Sequence, residues 1–472
     1  MGGSALLHNI SITGLLSVIT THVTLPPLGR SYKASTLKSH ENSITRICCL
    51  PKKAKNRGDS SHARNSNVGL LHSSDDHNND VSIELVELHL PYLPKLPPHY
   101  HTTKNTPPHL MTTLMEAFQM SSSNVSDIIT NIKPDLLIFD TFQPWAAKFA
   151  SSKNIPCVYF LTSGSTAFSF FHHYHTHKNY DTFPYPAIFL REYQKRDQVA
   201  ENASIKVKDM DEEGFAFGAF QLSCDIVLVK SCRGIEGKYM DYLSTLCDKK
   251  IVPTGPLIAN GEKNQESGNS EIIDWLSQKN QFSTLYISFG SENYLSKEQM
   301  QELAKGLELS GVNFIWVART PIGSGVFIEE ALSEGLLDRI KQNGIIVQGW
   351  APQAEILAHS SVGGFMSHCG WSSITESLYF GVPVVAVPLK FDQPVNCRMA
   401  VETGVGVEVM RDENGRFDGN GVAKAINEVI FEESGENLRW KAREFSKKMK
   451  MEDDDAFYEV AEELSRICEK TI

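Results

Sequence analysis

WAPQAEILAHSSVGGFMSHCGWSSITESLYFGVPVVAVPLKFDQ, running from Trp350 to Gln393, decides how this chain is read. Physically it is a turn, a helix, a strand, a tight turn, a second helix, a second strand and the start of a third helix. GGFMSH (363–368) is a short apolar run opened by two glycines, the pattern of a buried strand. It leads straight into CGWSS (369–373), small residues that open the helix SSITESLYF, with Gly381 as its stop. A strand, a glycine turn and a helix N-terminus make an anion site. Free backbone N–H groups and the positive end of the helix dipole both point at the ligand. PVVAVPL (383–389) is the next buried strand. Phe391, Asp392 and Gln393 stand at its carboxyl end, where open α/β sheets bind ligands.

The stretch resembles the signature box of plant UDP-sugar-dependent glycosyltransferases, the family-1 enzymes with the GT-B fold. The likeness rests on W-A-P-Q, H-C-G-W, the Glu of T-E-S and the terminal D-Q. Residue by residue, it implies that Trp350 stacks on uracil and that Ala351 and Gln353 hold the uracil edge and the ribose. His368, with the backbone at Trp371 and Ser373, would grip the diphosphate. Glu376 would accept both ribose hydroxyls, and Asp392 and Gln393 would bind the sugar hydroxyls. Ser372 departs from the family, which more often has Asn there; the shorter side chain keeps a hydroxyl for the diphosphate. Taken singly, Trp350 reads as a core or rim aromatic, His368 as a structural histidine and Glu376 as a solvated helix residue. Their occurrence together, in this order, favours the nucleotide-sugar reading.

At 472 residues the chain is long enough for two domains with separate cores. A net charge of −11 argues against nucleic acid or an anionic membrane as partner. The nine cysteines are scattered without a CxxC, so neither a disulfide framework nor a zinc site is indicated, and the pattern suits a reducing, cytoplasmic setting. No run of 18 apolar residues suggests an integral membrane segment. Residues 5–29 lack the basic start of a signal peptide.

Outside the box the chain is less even. In the family, the N-terminus supplies a first strand, a G-H-x-x-P-type turn whose His is the catalytic base, and a helix. Here the echo is Leu7-His8-Asn9-Ile10-Ser11, which makes His8 the candidate base, while VITTHVT resembles the second strand. Residues 51–80, polar and nearly free of large apolar side chains, read as a disordered loop. DLLIF (135–139) is a buried parallel-type strand with Asp140 at its carboxyl tip. Asp140 reads equally as a helix N-cap or a functional carboxylate. The resemblance makes it the residue that orients the catalytic His and stabilises its cation, with Thr141 facing the donor sugar. CVYFLTSGSTAFSFFHHYHTH (157–177) gives a strand, a turn and an aromatic helix expected to line the acceptor pocket. His172, His173, His175 and His177 do not present three ligands on one helix face, and the family needs no metal. Residues 190–215 read as a charged surface helix or loop, and the last helix, about 437–470, carries an apolar stripe. TLYISFGSE (284–292) ends in Ser288, Gly290 and Ser291, and Ser291 resembles a second phosphate-facing position. Ser296 with Gln299 forms a capping box for the helix that follows.

The expected fold is α/β, a GT-B pair of facing Rossmann-like doubly wound domains with a cleft between them. Residues 1–255 would bind the acceptor, 256–450 the UDP-sugar, and 451–472 would pack back on the first domain. The implied reaction moves glucose from UDP-glucose, with inversion, to a hydroxyl of a terpenoid or flavonoid glycoside in plant secondary metabolism. UDP-sugar is a co-substrate, no cofactor or metal is called for, and the enzyme is expected to be a monomer. VELHLPYLPKLPPHYHTT and PPHLM resemble the subgroup that adds a sugar to a sugar already attached. Competing readings are a transferase acting directly on an aglycone and an inactive nucleotide-sugar-binding protein with a damaged N-terminal half-site.

Overall fold

The computed structural model describes residues 17–21, 45–49, 70–71, 83–103, 106–197, 217–258, 267–291, 293–319 and 328–470. His8 lies outside them, as does most of the stretch 51–80. Within that stretch the expectation of a loop throughout is corrected at Leu70–Leu71, which pair with a neighbouring strand.

Two sheets organise the chain. The first contains β1 (Ser17–Thr21), β2 (Thr45–Cys49), β3 (Leu70–Leu71), β4 (Ile83–Leu88), β5 (Leu136–Phe139), β6 (Cys157–Leu161), β7 (Ile226–Val229) and β8 (Lys250–Pro253), in the order β3-β4-β2-β1-β5-β6-β7-β8. From β5 to β8 every pairing is parallel. The other half departs from a uniformly parallel, doubly wound sheet: β1 runs antiparallel to β5, and β4 antiparallel to both β2 and β3. Parallel neighbours need long crossovers, whereas antiparallel neighbours do not; the reversed orientation reaches from the β3 edge to the middle of the sheet, at the β1–β5 pair.

The second sheet contains β9 (Thr284–Ser288), β10 (Asn313–Ala318), β11 (Gly344–Gln348), β12 (Val362–Ser367), β13 (Val384–Ala386) and β14 (Gly406–Glu408), ordered β11-β10-β9-β12-β13-β14 and parallel throughout. Numbered by appearance, that is 3-2-1-4-5-6, the doubly wound order with its switch point between β9 and β12. Both of those strands are buried along their whole length, as their unbroken runs of small and apolar residues require. Helices follow where the pattern placed them, at Gln353–Ala358, Trp371–Tyr379 and Gln393–Glu402. The Ser296 capping box forms: its hydroxyl accepts from the Gln299 N–H at 3.2 Å, and the Gln299 side chain accepts from the Ser296 N–H at 2.9 Å.

One core cluster runs through both halves, beside others that belong to a single sheet. Phe139, Tyr159 and Phe220 beside the first sheet belong to the same buried apolar cluster as Trp371, Ile374, Val395 and Met399 of the second half. The last helix, Glu433–Glu469, begins four residues earlier than its apolar stripe suggested and runs unbroken over both halves. Its end covers the outer face of the first sheet, where Leu464 and Ile467 pack on Leu136, Ile138, Val158, Ile226, Leu228 and Val252. Two sequence expectations are corrected by packing. Residues 191–197 do not run free over the surface: Tyr193 and Gln194 are buried, and Arg191 reaches Glu408 Oε2 at 2.9 Å. The phenylalanines of the helix Ser165–His177, expected to line a pocket, are buried against rings of the following segments, Phe170 against Tyr180 and Phe183 and Phe168 against Phe220.

Leu464→Ala combined with Ile467→Ala removes the apolar cover of the first sheet. Large-to-small core changes cost about 2–5 kcal/mol each. The thermal unfolding midpoint should drop by several degrees and protease cleavage should appear near the C-terminus; a variant as stable and as resistant as wild type would show that this end of the helix contributes nothing.

Candidate functional site

The box residues gather at the carboxyl ends of β9, β11, β12 and β13. Trp350 leaves β11 and is 60% exposed, so one ring face is open to a planar partner. Ala351, next to it, is buried, and its carbonyl accepts the Gln353 N–H at 2.8 Å. The Gln353 side chain sits between two groups. Its oxygen accepts from Tyr286 Oη at 3.2 Å, and its nitrogen donates to Glu376 Oε2 at 2.6 Å. Glu376 thus has one oxygen held in place. Burial raises its pKa, opposed by the Gln353 hydrogen bond and the charge of Lys230.

His368 ends the β12 run and is buried against glycines on two sides. A Cβ on Gly290 would come 2.9 Å from His368 Cε1, and one on Gly370 would come 2.4 Å from Nε2. Gly290 also has a φ of +77°, so the loop carrying Ser291 approaches His368 only because residue 290 lacks a side chain. Burial, with Lys390's positive charge, pushes the His368 pKa down to about 3. The ring is therefore neutral at physiological pH and has one N–H to offer a ligand. Gly370 is the N-cap of the helix Trp371–Tyr379 and supplies no side-chain cap, so the first-turn N–H groups at Trp371, Ser372 and Ser373 keep their donor capacity.

At the end of β13, Asp392 is fully buried. Its Oδ2 accepts from Ser163 Oγ at 2.5 Å and from Asn396 Nδ2 at 3.1 Å, while Oδ1 has no hydrogen-bond partner among the described residues. Burial lifts its pKa to about 6, partly offset by those two hydrogen bonds. A tenfold change in proton affinity is worth about 1.4 kcal/mol, so holding this carboxylate ionised at neutral pH costs the fold about 3 kcal/mol. The Gln393 oxygen is engaged by the N–H groups of Leu389 and Lys390 at 3.0 and 2.9 Å, which leaves its amide nitrogen as donor.

In the first half, Asp140 follows β5, is 3% exposed, and its Oδ1 accepts the Phe142 N–H at 2.8 Å. The helix after it begins at Pro144 with Gln143 at the N-cap, so Asp140 braces the preceding turn and does not occupy the cap position. Thr141 is buried, with its hydroxyl 2.7 Å from Tyr159 Oη on β6. The histidines of the Ser165–His177 helix have neighbours of their own: His173 Nδ1 lies 2.6 Å from Tyr242 Oη and Nε2 lies 2.9 Å from Thr182 Oγ1. Two residues missed in the sequence cross between the halves. Ser163, just past β6, reaches Asp392, and Lys230, just past β7, reaches Ser372. The signal was present: both are polar residues at the carboxyl end of a buried parallel strand, as Asp140 is.

Residues 262–445 match the model of the family described as UDP-glucoronosyl and UDP-glucosyl transferase. A beta-D-glucosyl crocetin beta-1,6-glucosyltransferase of Gardenia jasminoides is 45% identical over 409 residues, 86% of this chain and 91% of its own. A UDP-glucosyltransferase of Panax ginseng is 46% identical over 415 residues, again 86% and 91% of the two chains. Mogroside IIIx synthase of Siraitia grosvenorii is 45% identical over 387 residues, 81% of this chain and 85% of its own. Among solved structures, a UDP-glucosyltransferase from Polygonum tinctorium superposes with a TM-score of 0.61 at 27% identity, covering 76% of this chain and 82% of that one. A Glycyrrhiza uralensis protein complexed with glycyrrhetinic acid 3-O-monoglucuronide gives 0.67 at 22% identity over 80% and 83%, a likeness of fold.

A GT-B pair of α/β domains with this box is a UDP-dependent glycosyltransferase. The chain belongs to the UDP-glucuronosyl and UDP-glucosyl transferase family, among its plant family-1 members.

Asp392 sets a pH dependence. Its raised pKa means it loses its charge as pH falls from 7 through about 6, and a protonated acid no longer serves as a charged acceptor. His368, titrating near 3, contributes no limb in that window. The affinity advantage of UDP-glucose over UDP, which isolates the sugar contact, should therefore shrink below about pH 6, and Asp392→Asn should lower that advantage and remove its pH dependence. A pH dependence unchanged in the Asn variant would assign it to another group.

Proposed function

We infer that this enzyme transfers glucose from UDP-glucose, with inversion, to a hydroxyl of a small-molecule glycoside. The reading is carried by one convergence at the switch point of the second sheet: the Gln353–Glu376 pair, neutral His368 and the uncapped N-terminus of the Trp371 helix. In this reading residues 256–450 bind the donor, residues 1–255 the acceptor, and 451–472 tie the two together. Uracil stacks on the exposed face of Trp350, with Ala351 and Gln353 at its edge. Glu376 takes the ribose hydroxyls. Ser291, His368, Ser372, Ser373 and the Trp371 backbone hold the diphosphate. Asp392, through its unpartnered Oδ1, and Gln393, through its amide nitrogen, hold the sugar, and Thr141 faces it across the cleft.

The chemistry follows from those positions. A base removes the acceptor hydroxyl proton, the oxygen attacks the anomeric carbon, and UDP departs with the bonding electrons. Helix N–H groups and His368 stabilise the leaving charge. We assign the base to His8 and its orienting carboxylate to Asp140. The Gardenia relative's name has it acting on beta-D-glucosyl crocetin, which supports a glycosylated acceptor here. Glucose as the donor sugar rests on the Gardenia and Panax names and on Gln393; other relatives are named as rhamnosyl- and glucuronosyltransferases. A cytoplasmic setting, a place in plant secondary metabolism, a monomeric state and independence of metals complete the reading. Cys157, Cys224, Cys232, Cys247, Cys369, Cys397 and Cys468 are free of disulfides, which suits the reducing setting of this reading; no described helix is long and apolar enough to cross a membrane.

The direct test is turnover with UDP-glucose, UDP-galactose, UDP-rhamnose and UDP-glucuronate against paired glycosides and aglycones. UDP-glucose with a glycoside should be best. Faster transfer to the bare aglycone, or preference for another donor, would overturn that part, and UDP binding without turnover would leave a nucleotide-sugar-binding protein.

Two variants separate the half-sites. Glu376→Ala deprives two hydroxyls of a charged acceptor, worth about 1.5–3 kcal/mol, so donor KM should rise about tenfold or more. Asp140→Asn should instead lower kcat by orders of magnitude with UDP affinity nearly intact. The opposite pattern would exchange the roles assigned to the two carboxylates.

A further inference from the structure

Lys230 is the conspicuous charge that the site as assigned leaves unused. It stands just beyond β7, in the half of the chain assigned to the acceptor, yet its Nζ donates to Ser372 Oγ at 3.0 Å across the cleft. Its backbone carbonyl accepts the Trp371 indole N–H at 2.6 Å. That second bond fixes the stem of the lysine to the first residue of the helix, so the ammonium lies beside the first turn. Ser372 is a neutral partner. Among the described residues, the carboxylate acting noticeably on the lysine is Glu376, one turn further along the same helix.

As a purely structural contact this arrangement is unfavourable. A cation is destabilised at the positive end of a helix dipole, which favours anions. Burial adds to the cost and lowers the Lys230 pKa, with Glu376 opposing. A hydroxyl does not fully repay the desolvation of a half-buried ammonium. The electrostatic conflict disappears if a multivalent anion lies between the lysine and the helix, because it satisfies the ammonium and the N–H groups at once. Resting on the assignment of the donor site above, the geometry points to Lys230 as a diphosphate-binding residue, a counter-charge delivered to the donor from the opposite domain. The ribose would sit at Glu376 and the diphosphate between it and the Ser372 turn, within reach of the ammonium. Lys230 then makes donor binding depend on the two halves being closed on one another, since the other assigned diphosphate ligands, Ser291, His368, Trp371, Ser372 and Ser373, all come from the second half.

The test compares full-length Lys230→Met, Lys230→Arg, Glu376→Ala and His368→Ala for binding of UDP and of uridine, by calorimetry, with thermal unfolding to confirm folding. Lys230→Met should weaken UDP by about tenfold to a hundredfold and leave uridine unchanged, because only the charged partner is lost. Lys230→Arg should recover most of the UDP affinity, and Glu376→Ala should weaken both ligands alike. Lys230→Gln replaces the Met variant if that one does not fold. Wild-type UDP affinity in Lys230→Met, with His368→Ala still impaired, would overturn the inference and leave the donor site standing. Equal losses for UDP and uridine would also overturn it, showing that the lysine acts only by shaping the ribose end. If none of the four changes alters UDP binding, the donor-site assignment itself fails and the inference falls with it.

Discussion

Trp371 is the side chain on which the two halves of the molecule depend. Its ring is 1% exposed and lies in the apolar cluster that runs from the first sheet into the second domain. Its indole N–H is consumed by the Lys230 carbonyl. The approach is close: a Cβ on Gly164 would come 2.9 Å from the Trp371 ring and 2.7 Å from Glu236 Oε1. The same residue opens the helix whose first-turn N–H groups have no side-chain cap. Interdomain packing and ligand binding therefore share a single helical turn. A shift of that turn changes both, which gives a physical reason for the two halves to be cemented at this point instead of being joined by a hinge alone.

Buried charges around the seam divide into those already satisfied and those still carrying unused capacity. Glu236 accepts from Ser165 N, Thr166 N and Thr166 Oγ1 at 2.9, 2.7 and 2.6 Å, so its charge goes into capping the helix Ser165–His177. Glu408 is gripped by Arg398 and Arg191, which ties residues 191–197 to the second half. Such a buried ionic group adds little net stability, but it fixes one arrangement of its partners, because removing any member strands the rest. Asp392 is different. One oxygen is paired across the cleft with Ser163, the other has no hydrogen-bond partner among the described residues, and its ionised form is held at a cost. A carboxylate kept charged at such expense, at the tip of a strand, is suited to an incoming hydroxyl.

The helices and strands of the box are legible because their causes are local. Two glycines and an apolar run make β12, a Gly-Trp-Ser-Ser opening makes the next helix, and Ser296 with Gln299 caps another. Each signal spans a few residues, and covalent proximity lets the sequence carry it. Where the local signal is weak, pattern alone misleads in a definite way. An aromatic helix suggests a pocket lining, although apolar side chains look the same in sequence whether they face a ligand or one another. The charged stretch around Arg191 suggests a surface because its partner, Glu408, lies 217 residues away.

By itself, then, the sequence determined the α/β character, the parallel strands from β5 onward and the set of residues offered at the ends of β11, β12 and β13. The tertiary structure decided how those ends meet. It set β1 antiparallel to β5, joined Ser163 to Asp392 over 229 positions, and brought Lys230 to Ser372 over 142. Those contacts leave no local imprint, because a side chain's partner across a cleft is selected by the packing of whole domains and not by the dihedral preferences or periodicity of its neighbours along the chain.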